Sequence, residues 1–178
     1  MALYTARDMM ANKNLPDEPL DSPKRRRLPP LLRRCWYGLN QTFRRRIAHL
    51  AITPDQFTIL RNLQEREPEG MTQYELATIM TSDPNTISSL LKRMSAAGLV
   101  KRKRYETDRR AMQVRSTTNG TRLYEEARQI ALDLQGHLLD KIPEARREQF
   151  LADLEALADA AIEASRKTKD GADTPELK

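Results

Sequence analysis

A chain of 178 residues is long enough for one well-buried domain with an added oligomerisation element, and short for two independent domains. Only 5% of the residues are aromatic while 31% are charged, a balance that favours helices over a β-sandwich or barrel. One cysteine (Cys35), two histidines (His49 and His137) and no apolar run of the roughly 20 residues a bilayer requires leave a soluble, cytoplasmic reading with no disulfide, metal, cofactor or membrane partner.

The formal net charge of +6 is unevenly placed: residues 24–49 carry +9 and residues 72–116 carry +5, whereas residues 117–178 carry −4. Segregation of this kind is the footprint of a polyanion partner, the alternative being a solvated basic face with none.

Residues 1–27 hold Pro16, Pro19 and Pro23 among polar side chains and end in Lys24, Arg25, Arg26 and Arg27, which reads as a flexible arm. Such a basic run suits DNA phosphates, a nuclear-import-type signal or plain solubility. From Leu28 to Leu50 the apolar residues recur at helical spacing, with Arg33, Arg34, Arg44, Arg45 and Arg46 on the other sides. Thr53-Pro54-Asp55-Gln56 is a capping box with proline at the first helical position, opening a helix through Phe57, Leu60 and Leu63.

Thr72-Gln73-Tyr74-Glu75 is a second capping box and predicts a short helix burying Leu76, Ala77, Ile79 and Met80. After a turn at Thr81 and Ser82, Asp83-Pro84 starts another helix with Ile87, Leu90, Leu91 and Met94 as its buried stripe and Gly98 as its stop. Two short helices joined by a tight turn are a helix-turn-helix. Residues 100–105 and 111–116 can then extend as strands around a polar link, forming a hairpin wing. Helical spacing returns from Thr117 through Leu138, and Pro143 opens a last helix with Phe150, Leu154, Leu157 and Ala161 in register.

Opposite its buried stripe, the second helix of the pair presents Asn85, Thr86, Ser88, Ser89, Lys92 and Arg93, short polar groups and cations suited to base edges and phosphates. Its N-terminus also favours anions through the helix dipole. The hairpin adds Lys101, Arg102, Lys103 and Arg104 on its first strand for phosphates. At its tip, Asp108 beside Arg109 and Arg110 can hold a guanidinium extended into a minor groove.

The runs Thr72 to Ala77, Ile87 to Met94, Ala97 to Val100, Asp108-Arg109-Arg110 and Thr117 to Gly120 strongly resemble the MarR family of transcription regulators. The resemblance implies a mainly α fold with a small β-hairpin wing: a winged helix-turn-helix at 51–116, helical dimerisation segments at 28–50 and 117–167, the arm at 1–27 and a tail at 168–178. It further implies a homodimer repressing from a palindromic operator on double-stranded DNA and released by a small-molecule effector. By position it assigns the major groove to Asn85, Thr86, Ser88, Ser89 and Lys92 and the wing contacts to Arg109 and Arg110; Thr72, Arg93, Lys103 and Asp108 complete the expected DNA contacts. Ser116 departs from the family's leucine, so packing beneath the wing should differ, and Ser89 replaces a frequent arginine.

For the effector, Trp36, Tyr37, Asn40 and Phe57 are the candidate pocket residues, set against the commoner role of aromatic residues as core or dimer contacts. Cys35, beside Leu31, Leu32 and Leu39, reads as a buried structural thiol, with redox sensing as the alternative. No nucleophile with a base partner and no glycine-rich phosphate loop is present, so an enzyme is not expected. The competing reading is an architectural or protein-interaction winged helix that uses its basic face nonspecifically.

Overall fold

The computed structural model describes Pro19, Ser22 and residues 25–104 and 112–169. Most of the expected arm, the hairpin tip at 105–111 and the end of the tail lie outside these residues. The chain divides into two compact units, residues 1–121 and 122–178.

In the first unit, α1 (Leu28–Arg46) and a 3-10 turn (Ala48–Leu50) lead to α2 (Pro54–Glu65), β1 (Met71–Thr72), α3 (Gln73–Ile79) and α4 (Pro84–Ala96). The strands β2 (Val100–Arg104) and β3 (Met112–Ser116) follow, then the first turn of α5 (Thr118–Leu139). The second unit holds the rest of α5, a 3-10 turn (Glu144–Arg146) and α6 (Arg147–Lys169). The described residues are thus mainly helical with one small sheet.

Each start in the helix-turn-helix region follows from a cap. Thr53 Oγ1 accepts from the Gln56 N–H at 3.3 Å while Gln56 Oε1 accepts from the Thr53 N–H at 2.8 Å, so two donors without intrahelical partners are satisfied reciprocally. Thr72 and Glu75 do the same for α3, at 3.1 Å and 2.7 Å. Asp83 Oδ1 accepts from the N–H groups of Asn85 and Thr86 at the start of α4.

The two helices of the pair end in the same way. At the end of α4 the Leu99 N–H donates to Met94 O at 2.9 Å and Gly98 N–H to Ser95 O at 3.0 Å, with Gly98 left-handed at φ 68. This is the six-to-one and five-to-two pattern of a glycine helix stop. At the end of α3 the Ser82 N–H donates to Ala77 O and the Thr81 N–H to Thr78 O, both at 3.0 Å. There the left-handed position, φ 47, is held by Thr81, whose Cβ makes that conformation costly.

The core of this unit closes on Ile59, Leu60, Leu63, Leu76, Ile87, Leu91, Met94 and Val114, all at or near zero exposure. The sheet runs β1-β3-β2, both pairings antiparallel, with Met71 opposite Val114 and Arg102 also opposite Val114 from the other side. β1 was not expected, because two residues are too few to show alternation.

A polar knot anchors the last strand. Thr117 Oγ1 donates to Gly98 O at 2.6 Å and accepts from the Gly120 N–H at 3.0 Å, while the Thr117 N–H donates to Leu99 O at 3.0 Å. A Cβ on Gly120 would overlap Leu99 O and meet Leu60 Cδ2 at 3.1 Å, so only glycine permits this approach. Ser116, the departure noted above, leaves its Oγ buried with no hydrogen-bond partner among the described residues.

Four expectations are corrected. The first long helix ends at Arg46, after which the chain tightens into the 3-10 turn, and only its second half is core: Phe43, Ile47 and Leu50 are buried, whereas Leu28, Leu31 and Leu32 are exposed. Ile79 is exposed instead of buried: it is the last residue of α3 and lies off the side that buries Leu76 and Ala77. Cys35 is exposed, not a buried thiol, and its neighbours Leu31 and Leu32 are exposed with it, while Leu39 is half-buried. The last helix begins at Arg147, after Pro143 has started the short 3-10 turn, and Phe150 and Leu154 of its expected stripe are exposed.

The matched helix ends give a matched pair of variants. Thr81→Gly should raise unfolding stability by about 1 kcal/mol by removing the left-handed penalty. Gly98→Ala, which meets no atom within 4 Å, should lower it by about 1 kcal/mol for the same reason. Urea midpoints measure both; equal signs would contradict the assignment.

The Glu75 carboxyl is held below its ordinary 4.5 by the Thr72 backbone N–H and then the Thr72 hydroxyl. A lowered folded-state value stabilises above 4.5 and loses that contribution as pH falls through the folded value. Stability should therefore fall as pH drops below 4.5, and the fall should be shallower in Glu75→Gln, as followed by denaturation midpoints at successive pH values.

Candidate nucleic-acid interface

The burial of Ile87, Leu90, Leu91 and Met94 turns the opposite side of α4 outward. Asn85, Thr86, Ser89, Lys92 and Arg93 are exposed there and Ser88 is half-buried. Lys92 and Arg93 form no ion pair among the described residues, and the helix itself contains no acid. All six α4 positions singled out in the sequence thus share one accessible helix.

The N-terminus of α4 differs from the expectation of a phosphate seat. Its first free N–H groups, on Asn85 and Thr86, already donate to Asp83 at 2.8 and 3.2 Å, so side chains, not backbone, must make contacts there. Thr72 is also committed. Its hydroxyl accepts from the Glu75 N–H and donates to Glu75 Oε2 at 2.8 Å, which makes it the cap of α3.

Strand alternation sorts the wing's cations. Lys101 and Lys103 are exposed and share a face of the sheet with Arg115, which lies directly opposite Lys101. Like charges paired across strands repel unless an anion lies between them or solvent screens them. Arg115 was missed in the sequence, although its position in the alternation was the signal. Its stem crosses Gly70, where a Cβ would come within 2.6 Å of Arg115 Cγ.

Arg102 points to the other face. It is half-buried, and its Nη2 donates to Gln73 Oε1 at 3.3 Å. Asp108, Arg109 and Arg110 lie outside the described residues.

The proposed effector residues differ in exposure. Trp36 and Tyr37 are 64% and 66% exposed on α1 and Asn40 is half-buried. Phe57 is core: the Phe43 ring meets it edge-on at 4.9 Å and the Arg61 guanidinium lies 4.9 Å above its ring. Among the described residues no His, Cys, Asp and Glu cluster is arranged to hold a metal, and no helix is long and apolar enough to cross a membrane.

Residues 52–112 match the model of the MarR family. The HTH-type transcriptional regulator TtmR of Methylorubrum extorquens is 31% identical over 84 residues, which cover 47% of this chain and 42% of that protein's length. The chain therefore matches under half the length of that relative.

Among solved structures, the MepR–DNA complex of Staphylococcus aureus superposes with a TM-score of 0.72 at 24% identity, over 76% of this chain and 99% of MepR. A cysteine-to-serine mutant of MarR from E. coli superposes at 0.59 with 23% identity, over 78% of this chain and 98% of MarR. These likenesses are of the fold over about three quarters of this chain. The chain has the winged helix-turn-helix fold of these structures, and its residues 52–112 are similar to the MarR family.

Proposed function

We propose that this protein is a sequence-specific repressor that binds a palindromic operator as a homodimer, reading bases with α4 and gripping phosphates with the wing. The observation that carries this reading is the α4 surface: amide, hydroxyl and cationic side chains exposed along one helix whose orientation is set by a fully apolar opposite face. Asn85 pairs in geometry with an adenine edge, and Lys92 and Arg93 with guanine or phosphate oxygens. Arg109 and Arg110 serve the minor groove from the tip. That MepR was solved with DNA on the same fold supports the assignment.

Homodimerisation is supported by apolar side chains left uncovered within one chain: Leu28, Leu31, Leu32 and Trp36 on α1, and Phe150, Leu154 and Ile162 on α6. Exposed apolar area of that extent marks an interaction surface in a water-soluble chain. An aromatic effector would be received at Trp36, Tyr37 and Asn40, where side chains are accessible, rather than at Phe57.

Selection of bound duplexes from random sequence, with and without aromatic acids, tests the proposal. The selected duplex should be a palindrome with half-sites about one helical turn apart, bound roughly a thousandfold tighter than scrambled duplex. Equal binding to both would leave the nonspecific architectural reading instead. Asn85→Ala should weaken the selected duplex about tenfold and leave scrambled duplex unaffected. Lys92→Ala should weaken both alike and reduce the salt slope by about 1 per lost phosphate contact.

A further inference from the structure

Arg102 stands out as a half-buried cation of the first unit that forms no ion pair among the described residues. Its position on β2 follows from alternation: Lys101 and Lys103 face outward, so Arg102 shares the inner face with Val100 and lies opposite the fully buried Val114. Its Nε is buried with no partner among the described residues. Its Nη2 reaches Gln73 Oε1 at 3.3 Å, and Gln73 Nε2 in turn donates to Pro84 O at 3.5 Å.

These two bonds connect residues 11 and 29 positions apart along the chain, in three different elements. Arg102 belongs to the first wing strand, Gln73 is the first residue of α3, and Pro84 is the first residue of α4. Gln73 is suited to the junction because its amide accepts at one end and donates at the other. A carboxylate there would answer the arginine but could not donate to Pro84 O. An apolar residue would answer neither.

Among the described residues Arg102 meets a neutral amide and keeps a buried Nε without a partner, which stabilises a core less than an apolar residue of the same size would. What the arrangement supplies is a fixed relation between the wing and the N-terminal end of α4, where Asn85 and Thr86 are displayed. We propose that Arg102 and Gln73 are positioning residues that lock the wing strand to the start of the recognition helix, so that groove and wing contacts are made in one register. This inference rests on the DNA-binding reading above.

The test uses the full-length chain, the duplex enriched by selection and a scrambled duplex of equal length, with Gln73→Met, Arg102→Met and the double variant. Each single variant should lower affinity for the selected duplex about tenfold. The double variant should be no weaker than the worse single one, because either change breaks the same link. Affinity for scrambled duplex, and the salt slope on either duplex, should stay at the parental value. Arg102→Lys, which keeps the charge but lacks the planar fork, should behave as Arg102→Met does.

Thermal unfolding of each variant separates loss of register from loss of fold. Should Arg102→Met not fold, Gln73→Met and Arg102→Lys carry the test. A salt slope reduced by about 1 in the Arg102 variants would mean a direct phosphate contact and overturn the positioning role. Losses that multiply in the double variant, or that fall equally on scrambled duplex, would overturn it too. If the parental chain enriches no duplex at all, the DNA-binding reading fails and this inference with it; if it does enrich one and Gln73→Met binds it normally, only this inference fails.

Discussion

The display of a DNA-reading surface depends on the burial of four side chains on one side of α4. Ile87, Leu90, Leu91 and Met94 are each at most 8% exposed. Each is worth about 1.5–3 kcal/mol of burial, against roughly 1 kcal/mol for the Asp83 cap at the helix start. Rotating α4 about its axis would expose several of the four at once, a cost that no polar contact at the surface can offset. The azimuth of Asn85, Ser89, Lys92 and Arg93 is therefore decided in the core.

Where the helix ends matters as much as how it is rotated. Gly98 in its left-handed conformation turns the chain into β2, and Thr117 then binds the carbonyls of Gly98 and Leu99 while capping α5. Gly120 allows the backbone of α5 to lie against Leu99. One end of α4, the base of both wing strands and the start of α5 are thus joined within a few residues. A change at any one of these groups would be felt at the wing.

Local chemistry was legible in the sequence and context was not. The three helix starts at Thr53, Thr72 and Asp83 and the stop at Gly98 are determined by residues within a few positions, so they could be read directly. The buried stripe of α4 has clear 3.6-residue spacing and was equally readable. β1 was invisible because its two residues become a strand only by pairing with β3, about forty residues away. Ile79 and Cys35 were misplaced because helical spacing reports which residues share a face, not whether anything covers that face.

The candidate site divides along the same line. The exposed set on α4 could be named from its opposition to an apolar stripe, but its neighbours could not. Arg102 reads in the sequence as one of four consecutive cations. Only the register of β2 against β3 separates it from Lys101 and Lys103 and turns it toward Gln73. Thr72 likewise reads as a contact residue until the bonds to Glu75 show its hydroxyl committed to the cap.

Methylation interference at guanine N7 on a bound duplex tests most directly whether the outward face of α4 lies in the major groove, since N7 is accessible only from that groove. Two clusters of interfering guanines about one helical turn apart are the expected result. Tight binding with no interference at any guanine of the protected region would contradict it.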